Sequence, residues 1–178
     1  IWVFYSDYSN ASPSHVYYVK STNTEDITAW GSATSVVSGT RLTYPSAVQV
    51  SGGNIVLFYR DDDGIHRIVW GGSSWANDQT IISSTGSDRP YYQVALGSSD
   101  RVHLAYHWYD NGTANHRDLY YAYSDNANAT TSAWAAADAT GLTIPIGEGA
   151  TELVFNSDTS WDTGYLGGIS IGASNQPH

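Results

Sequence analysis

The sequence has no cysteine and no methionine, 3 phenylalanines, and 7 Lys plus Arg against 17 Asp plus Glu, a formal charge of −10. Without cysteine there are no disulfides and no thiolate metal sites. That is compatible with export and does not establish a compartment. Scarce positive charge excludes a nucleic-acid surface, which needs the opposite sign, and argues equally against an anionic membrane. No apolar run approaches membrane-spanning length. A polyanionic substrate stays open, because a few arginines gathered in a cleft create a local positive field. The acidity itself is most simply a solubility feature. The chain begins at Ile1 and shows no signal peptide, so it reads as a processed product or a fragment.

No long run of Leu, Ala, Glu and Lys marks a helix. What is abundant is tyrosine (14), tryptophan (7) and glycine (17), with much Ser, Thr and Asn. That composition is all-β. At 178 residues the chain is long enough for one domain with a real core.

The most legible stretch is 43–60, TYPSAVQVSGGNIVLFYR. Two apolar and aromatic arms, 43–50 and 54–60, flank the polar turn Ser51-Gly52-Gly53, a strong hairpin signal. An antiparallel hairpin brings the start of its first strand beside the end of its second, so Tyr44 and Arg60 are expected on one edge.

The rest of the chain repeats this unit. Strands are expected at 1–5, 15–20 and 33–37, then at 44–50, 54–60, 65–70 and 79–83. A third unit gives 91–96, 101–108, 118–123 and a last strand within 134–144. A fourth begins at 151–156, with 164–172 as its second strand. Tyr44-Pro45 aligns with Arg89-Pro90, and Tyr59-Arg60 with Tyr106-His107 and, upstream, Tyr5-Ser6. A four-stranded unit recurring every ~40–50 residues is the mark of a β-propeller blade; a sandwich also spaces strands regularly but does not repeat an edge pattern this closely. The expected fold is therefore an all-β propeller of four-stranded antiparallel blades, with units at about 1–42, 43–88, 89–146 and a partial 147–178. About three and a half blades are present, fewer than a ring of about 4–8 requires. A piece of a larger propeller is the simplest explanation, and self-association of two copies to complete one ring is the alternative.

Small or acidic turns precede a tryptophan between the third and fourth strands of each unit: Ser21…Trp30, Gly72…Trp75 and Ser124-Asp125…Trp134. They look like degenerate Asp-boxes, S-x-D-x-G-x-T-W, in which the Trp packs between strands and the Asp caps the turn. Such boxes are structural.

Four stretches, STNTEDITAW, TYPSAVQV with VLFYR, DRPYYQV, and DRVHLAYHWYDNGTANHRDLYYAY, taken in that order, resemble the BNR-repeat-containing family that includes ulvan lyases and related uronate-polysaccharide lyases. They cover roughly residues 5–125. The resemblance implies a seven-bladed propeller, secreted or periplasmic/extracellular, that cleaves an acidic polysaccharide by β-elimination. In these lyases a Tyr opening one strand and an Arg ending the next belong to the active site, and the matching positions are Tyr44 and Arg60. The family also uses two histidines from an earlier blade. One would precede Ile1; the other falls near Ser6, Asp7 and Tyr8, where this chain has no histidine.

Elimination across a uronate needs the carboxylate neutralised, a base for the neighbouring C–H, and an acid for the departing oxygen. The planar fork of Arg60 suits the first task. Tyr44 serves as base, acid or both if a nearby cation stabilises its phenolate. The repeat alignment puts Arg89 at the edge of Tyr44, and His107, a natural proton shuttle, at that of Arg60. Tyr44, Arg60 and His107 are thus the catalytic candidates, and Arg89, Tyr91, Trp108, Tyr8 and His116 the substrate-binding ones. Against these stand plainer readings: an aromatic strand residue for Tyr44, a blade-edge ion pair for Arg60, a loop-end His107, and a solvated 109–118 loop carrying His116 and Arg117. His103 reads as a buried, satisfied strand histidine. Asp61-Asp62-Asp63-Gly64 is most simply an exposed turn; a Ca²⁺ role stays open, though three consecutive carboxylates lack the alternating spacing of a loop that wraps one ion. No cofactor is expected, and a structural Ca²⁺ or Zn²⁺ is not readable.

The aromatics Trp108, Tyr109, Tyr91 and Tyr92 offer a different class of reading, a lectin-like propeller that stacks on sugars without catalysis. A structural propeller is a third. A sialidase-like hydrolase would need an arginine triad and a Tyr/Glu pair, which the sequence does not assign.

Overall fold

The computed structural model describes residues 1–7, 13–157 and 166–178. Among them the regular elements are antiparallel strands and two short 3-10 turns, Ser51–Gly53 and Ser98–Asp100. The fold is all-β. Strands β1 (Trp2–Ser6), β2 (Ser14–Lys20) and β3 (Thr34–Gly39) form a three-stranded sheet in that order. A second sheet has four strands, β4 (Thr43–Gln49), β5 (Ile55–Arg60), β6 (Gly64–Trp70) and β7 (Trp75–Ser83), each paired with the next. A third runs β8 (Arg89–Leu96), β9 (Val102–Asp110), β10 (Asn115–Ser124), β11 (Trp134–Ala135) and β12 (Gly141–Leu142), with β13 (Glu152–Phe155) also paired to β10.

The hairpin expected at 43–60 forms, and Gly52 and Gly53 turn it at φ 79° and 86°, a conformation that favours glycine. The next turn is fixed by Asp61, whose Oδ1 accepts the backbone N–H of Asp63 at 2.7 Å and of Gly64 at 3.0 Å.

β5 is buried at every position, so its side chains alternate between two cores. Val56 and Phe58 join Tyr92, Leu104, Tyr106, Trp108 and Trp134 of the third sheet. Leu57 and Tyr59 face Val16 and Leu42 on the side of the first sheet. The sheets thus pack face on face in chain order.

Some expectations are corrected. The last strand foreseen in 134–144 is two short pieces. β11 pairs with β10 only at Tyr123↔Ala135, which leaves the outer edge of β10 open further along. β13 takes that edge, pairing Leu119↔Phe155 and, past a shift in register, Tyr121↔Glu152. It therefore extends the third sheet instead of opening a fourth. No strand forms over the described part of 164–172, where Ile171 makes a lone bridge to Pro177.

The tryptophan turns diverge as well. Trp134 is buried, donates its indole N–H to Ser132 Oγ at 2.9 Å and meets Phe58 edge-on. Trp30 remains exposed. Asp125 accepts two hydrogen bonds from Arg101, at 2.6 and 2.9 Å, and it is Asn126 that closes the turn by accepting the N–H of Ala133 at 2.8 Å.

Candidate functional site

β4 and β5 are in register at Thr43↔Arg60 and again at Ser46↔Phe58, with a bulge between. Tyr44 sits in that bulge at φ 54°, uncommon for a bulky residue. Its side chain is exposed, whereas Arg60 is only 5% exposed. The bulge aims the tyrosine ring across the end of β5, and the guanidinium carbon of Arg60 lies 4.8 Å from its centre. From β8 of the third sheet, Tyr91 lies against the same guanidinium at 4.3 Å, beside the Tyr44 ring. The two rings are 5.3 Å apart. Nε and Nη1 of Arg60 are buried with no hydrogen-bond partner among the described residues. A guanidinium held by ring faces keeps N–H groups to offer an anion.

Next to Tyr91 stand two histidines. The β8–β9 register puts Tyr91 opposite His107, and the β9–β10 register puts His116 opposite Tyr109. Both imidazoles are buried, and His116 Nδ1 lies 2.9 Å from His107 Nε2. Such a bond needs one ring to donate and the other to accept. Tyr91 is 5.7 Å from His107 and 5.2 Å from His116, ring centre to ring centre, and Tyr109 is 5.1 Å from His116. A cavity of about 180 Å³ opens against this group, lined by Tyr44, Tyr91, Tyr92, Gln93, His107 and Leu166.

Tyr44, Arg60, Tyr91, His107 and His116 are therefore one cluster at the junction of the second and third sheets. His116 is on strand β10, not on a solvated loop, because β10 begins at Asn115. Neighbouring Arg117 points elsewhere, to Asp88 at 2.7 Å and in close contact with Glu148.

The remaining candidates do not join the cluster. Arg89 pairs with Asp62 at 3.0 Å. Trp108 is fully buried in the core. Strand alternation sends His107 and Trp108 to opposite faces of β9, so the expectation of a sugar-stacking Trp108 is corrected. Tyr8 lies outside the described residues. His103 is buried and bonded as expected, Nδ1 to the Tyr121 hydroxyl at 2.6 Å and Nε2 to Asn175 Oδ1 at 3.3 Å, and burial pushes its pKa down.

Sequence reading missed Gln93 and Leu166 in the cavity wall and treated Tyr92 only as a stacking ring. Alternation along β8 after Tyr91 would have found Gln93; nothing local marks Leu166. Tyr92 is buried, and its hydroxyl donates to the Tyr44 carbonyl at 2.5 Å. Desolvation holds its phenol protonated well above the usual range despite Arg60 nearby. Among the described residues no group of three or more His, Asp or Glu is arranged to hold a metal ion.

No curated protein matches the chain. The model of a family described as "BNR repeat-containing family member" matches residues 10–170, which includes every residue of the cluster. By that match, the chain belongs to the BNR repeat-containing family.

Proposed function

We propose that the protein is part of a secreted β-propeller that binds an acidic, uronate-containing polysaccharide of the ulvan type and cleaves it by β-elimination. The observation that carries this reading is the Arg60 guanidinium, held against the adjoining rings of Tyr44 and Tyr91 with two nitrogens, Nε and Nη1, that have no partner among the described residues, beside a hydrogen-bonded histidine pair. Three stacked antiparallel sheets and membership of a BNR repeat family support the propeller and the carbohydrate class.

Each residue has a task. Arg60 neutralises the uronate carboxylate, which acidifies the adjacent C5–H. Tyr44, as the phenolate that the cation beside it favours, removes that proton. The electron pair forms the C4=C5 bond, the bond from C4 to the glycosidic oxygen breaks, and that oxygen takes a proton. His107 delivers it directly or through Tyr44, and His116 holds the His107 ring by the shared hydrogen bond. Two histidines from the third sheet thus stand in for those that the resembling lyases carry on an earlier blade. Tyr91 and Gln93 line the space for the sugar.

A second reading is retention without cleavage. It is favoured by the low exposure of Arg60, whose charge the two tyrosine rings cover. Two variants separate the readings. Tyr44→Phe and His107→Gln each lower the rate of double-bond formation roughly 10²–10⁴-fold if the residue moves a proton, while retention on immobilised polysaccharide persists. Retention with no double-bond formation by the unmodified protein leaves the binding reading alone.

A further inference from the structure

We propose that Tyr92 is a positioning residue that holds Tyr44 over Arg60, an assignment that rests on the reading of Tyr44 and Arg60 as the working pair. Tyr44 is the exposed member of the cluster, sits in a bulge, and has a left-handed backbone that a tyrosine seldom adopts unaided. Within β4 the ladder skips Tyr44, since the register resumes only at Ser46. A restraint on its carbonyl comes from the next sheet: the Tyr92 hydroxyl, 2.5 Å away.

Tyr92 is suited to the task. It is 7% exposed, and its ring packs against Phe58 with centres 6.4 Å apart, so the hydroxyl has little freedom to turn away. The same strand presents Tyr91, one residue earlier, to Arg60. β8 therefore fixes both rings that lie against Arg60: Tyr91 by direct contact, and Tyr44 through its backbone. Cutting the hydroxyl removes that restraint on the Tyr44 bulge while leaving the tyrosine ring, the arginine and the histidines chemically intact.

The test is Tyr92→Phe in the full chain, read by the NMR signal of the Arg60 Nε–H in arginine-labelled protein. The guanidinium lies against two aromatic rings, so the shift and solvent exchange of this proton report their contact with it. The expected result is a changed shift and at least roughly tenfold faster exchange, with Tyr59→Phe, a tyrosine facing the opposite core, leaving both unchanged. On a uronate polysaccharide, Tyr92→Phe lowers kcat roughly tenfold at unchanged KM. An unchanged Arg60 signal overturns the assignment. Should Tyr92→Phe fail to fold, the unmodified protein decides: a slowly exchanging Tyr92 hydroxyl proton near the Tyr44 backbone supports the assignment, and its absence overturns it. If the unmodified protein does not eliminate, the proposed chemistry falls while the Arg60 signal still judges the positioning.

Discussion

The guanidinium of Arg60 is nearer to Tyr91, on the adjacent sheet, than to Tyr44, on its own: 4.3 Å against 4.8 Å to the ring centres. The cation–ring contact is therefore a property of two packed sheets, and its chemistry depends on β8 as much as on the hairpin that carries Tyr44 and Arg60.

Arg60→Lys keeps the charge and removes the planar fork. A compact ammonium neither spans a carboxylate in two places nor packs against two aromatic rings in the same way. Retention on a uronate polysaccharide is expected to weaken by about tenfold or more, as for the loss of a charge-assisted hydrogen bond. Elution at increasing salt measures it, and Arg89→Lys, at an arginine committed to Asp62, serves as the control.

Trp108→Phe separates core from binding surface. The indole is wholly buried among Tyr106, Leu104 and their neighbours, so the smaller ring leaves a void costing roughly 1–3 kcal/mol in urea unfolding. Polysaccharide retention stays as it was. A loss of retention at unchanged stability would restore the sugar-stacking role that burial argues against.

Gly64 has no room for a side chain. At φ 146°, an added Cβ would lie 1.8 Å from the Ile82 carbonyl oxygen, and backbone cannot step aside as a flexible side chain does. Gly64→Ala is expected to cost ~3 kcal/mol or more, read as a fall in the urea midpoint.

His66 makes stability depend on pH. Burial disfavours its charge, but hydrogen bonds and attraction to Asp61 and Asp78 outweigh that, and its pKa rises from 6.5 to about 9. A group that holds its proton more tightly in the fold adds stability that is whole below pH 6.5 and lost as the pH climbs through about 9. Asp78 is desolvated too, yet hydrogen bonds from His66 and Tyr59 hold its carboxyl below 3.8, so its contribution is present above that value and fades as the pH falls beneath it. His66→Gln should therefore destabilise by ~2 kcal/mol near neutrality, with the gap to the unmodified protein closing above about pH 9. Urea titrations at the two pH values check it.

The hairpin at the heart of the site was legible because its signals are local. Gly52 and Gly53 marked the turn, and the period-two pattern gave the edge that joins Tyr44 to Arg60. Strand alternation was equally available for β9, and it already set His107 and Trp108 on opposite faces. What the sequence did not reveal lies between sheets. The partner of Arg60 in the third sheet is Tyr91, two residues beyond the Arg89 that the repeat alignment favoured, because Arg89 is drawn to Asp62. His116 looked like loop because polar residues surround it, whereas cross-strand pairing with Tyr109 extends β10 to Asn115. β13 read as the start of a new unit because nothing local tells a strand which edge it will join; the short β11 decides that by leaving part of β10 open.

The central claim is elimination, and the most direct measurement is the ultraviolet absorbance of the unsaturated uronate while the protein is incubated with ulvan and other uronate polysaccharides. Hydrolysis and simple binding leave no such double bond. The account predicts a steady rise that Tyr44→Phe and Arg60→Ala abolish. No rise with any uronate polysaccharide, from folded protein, would contradict it.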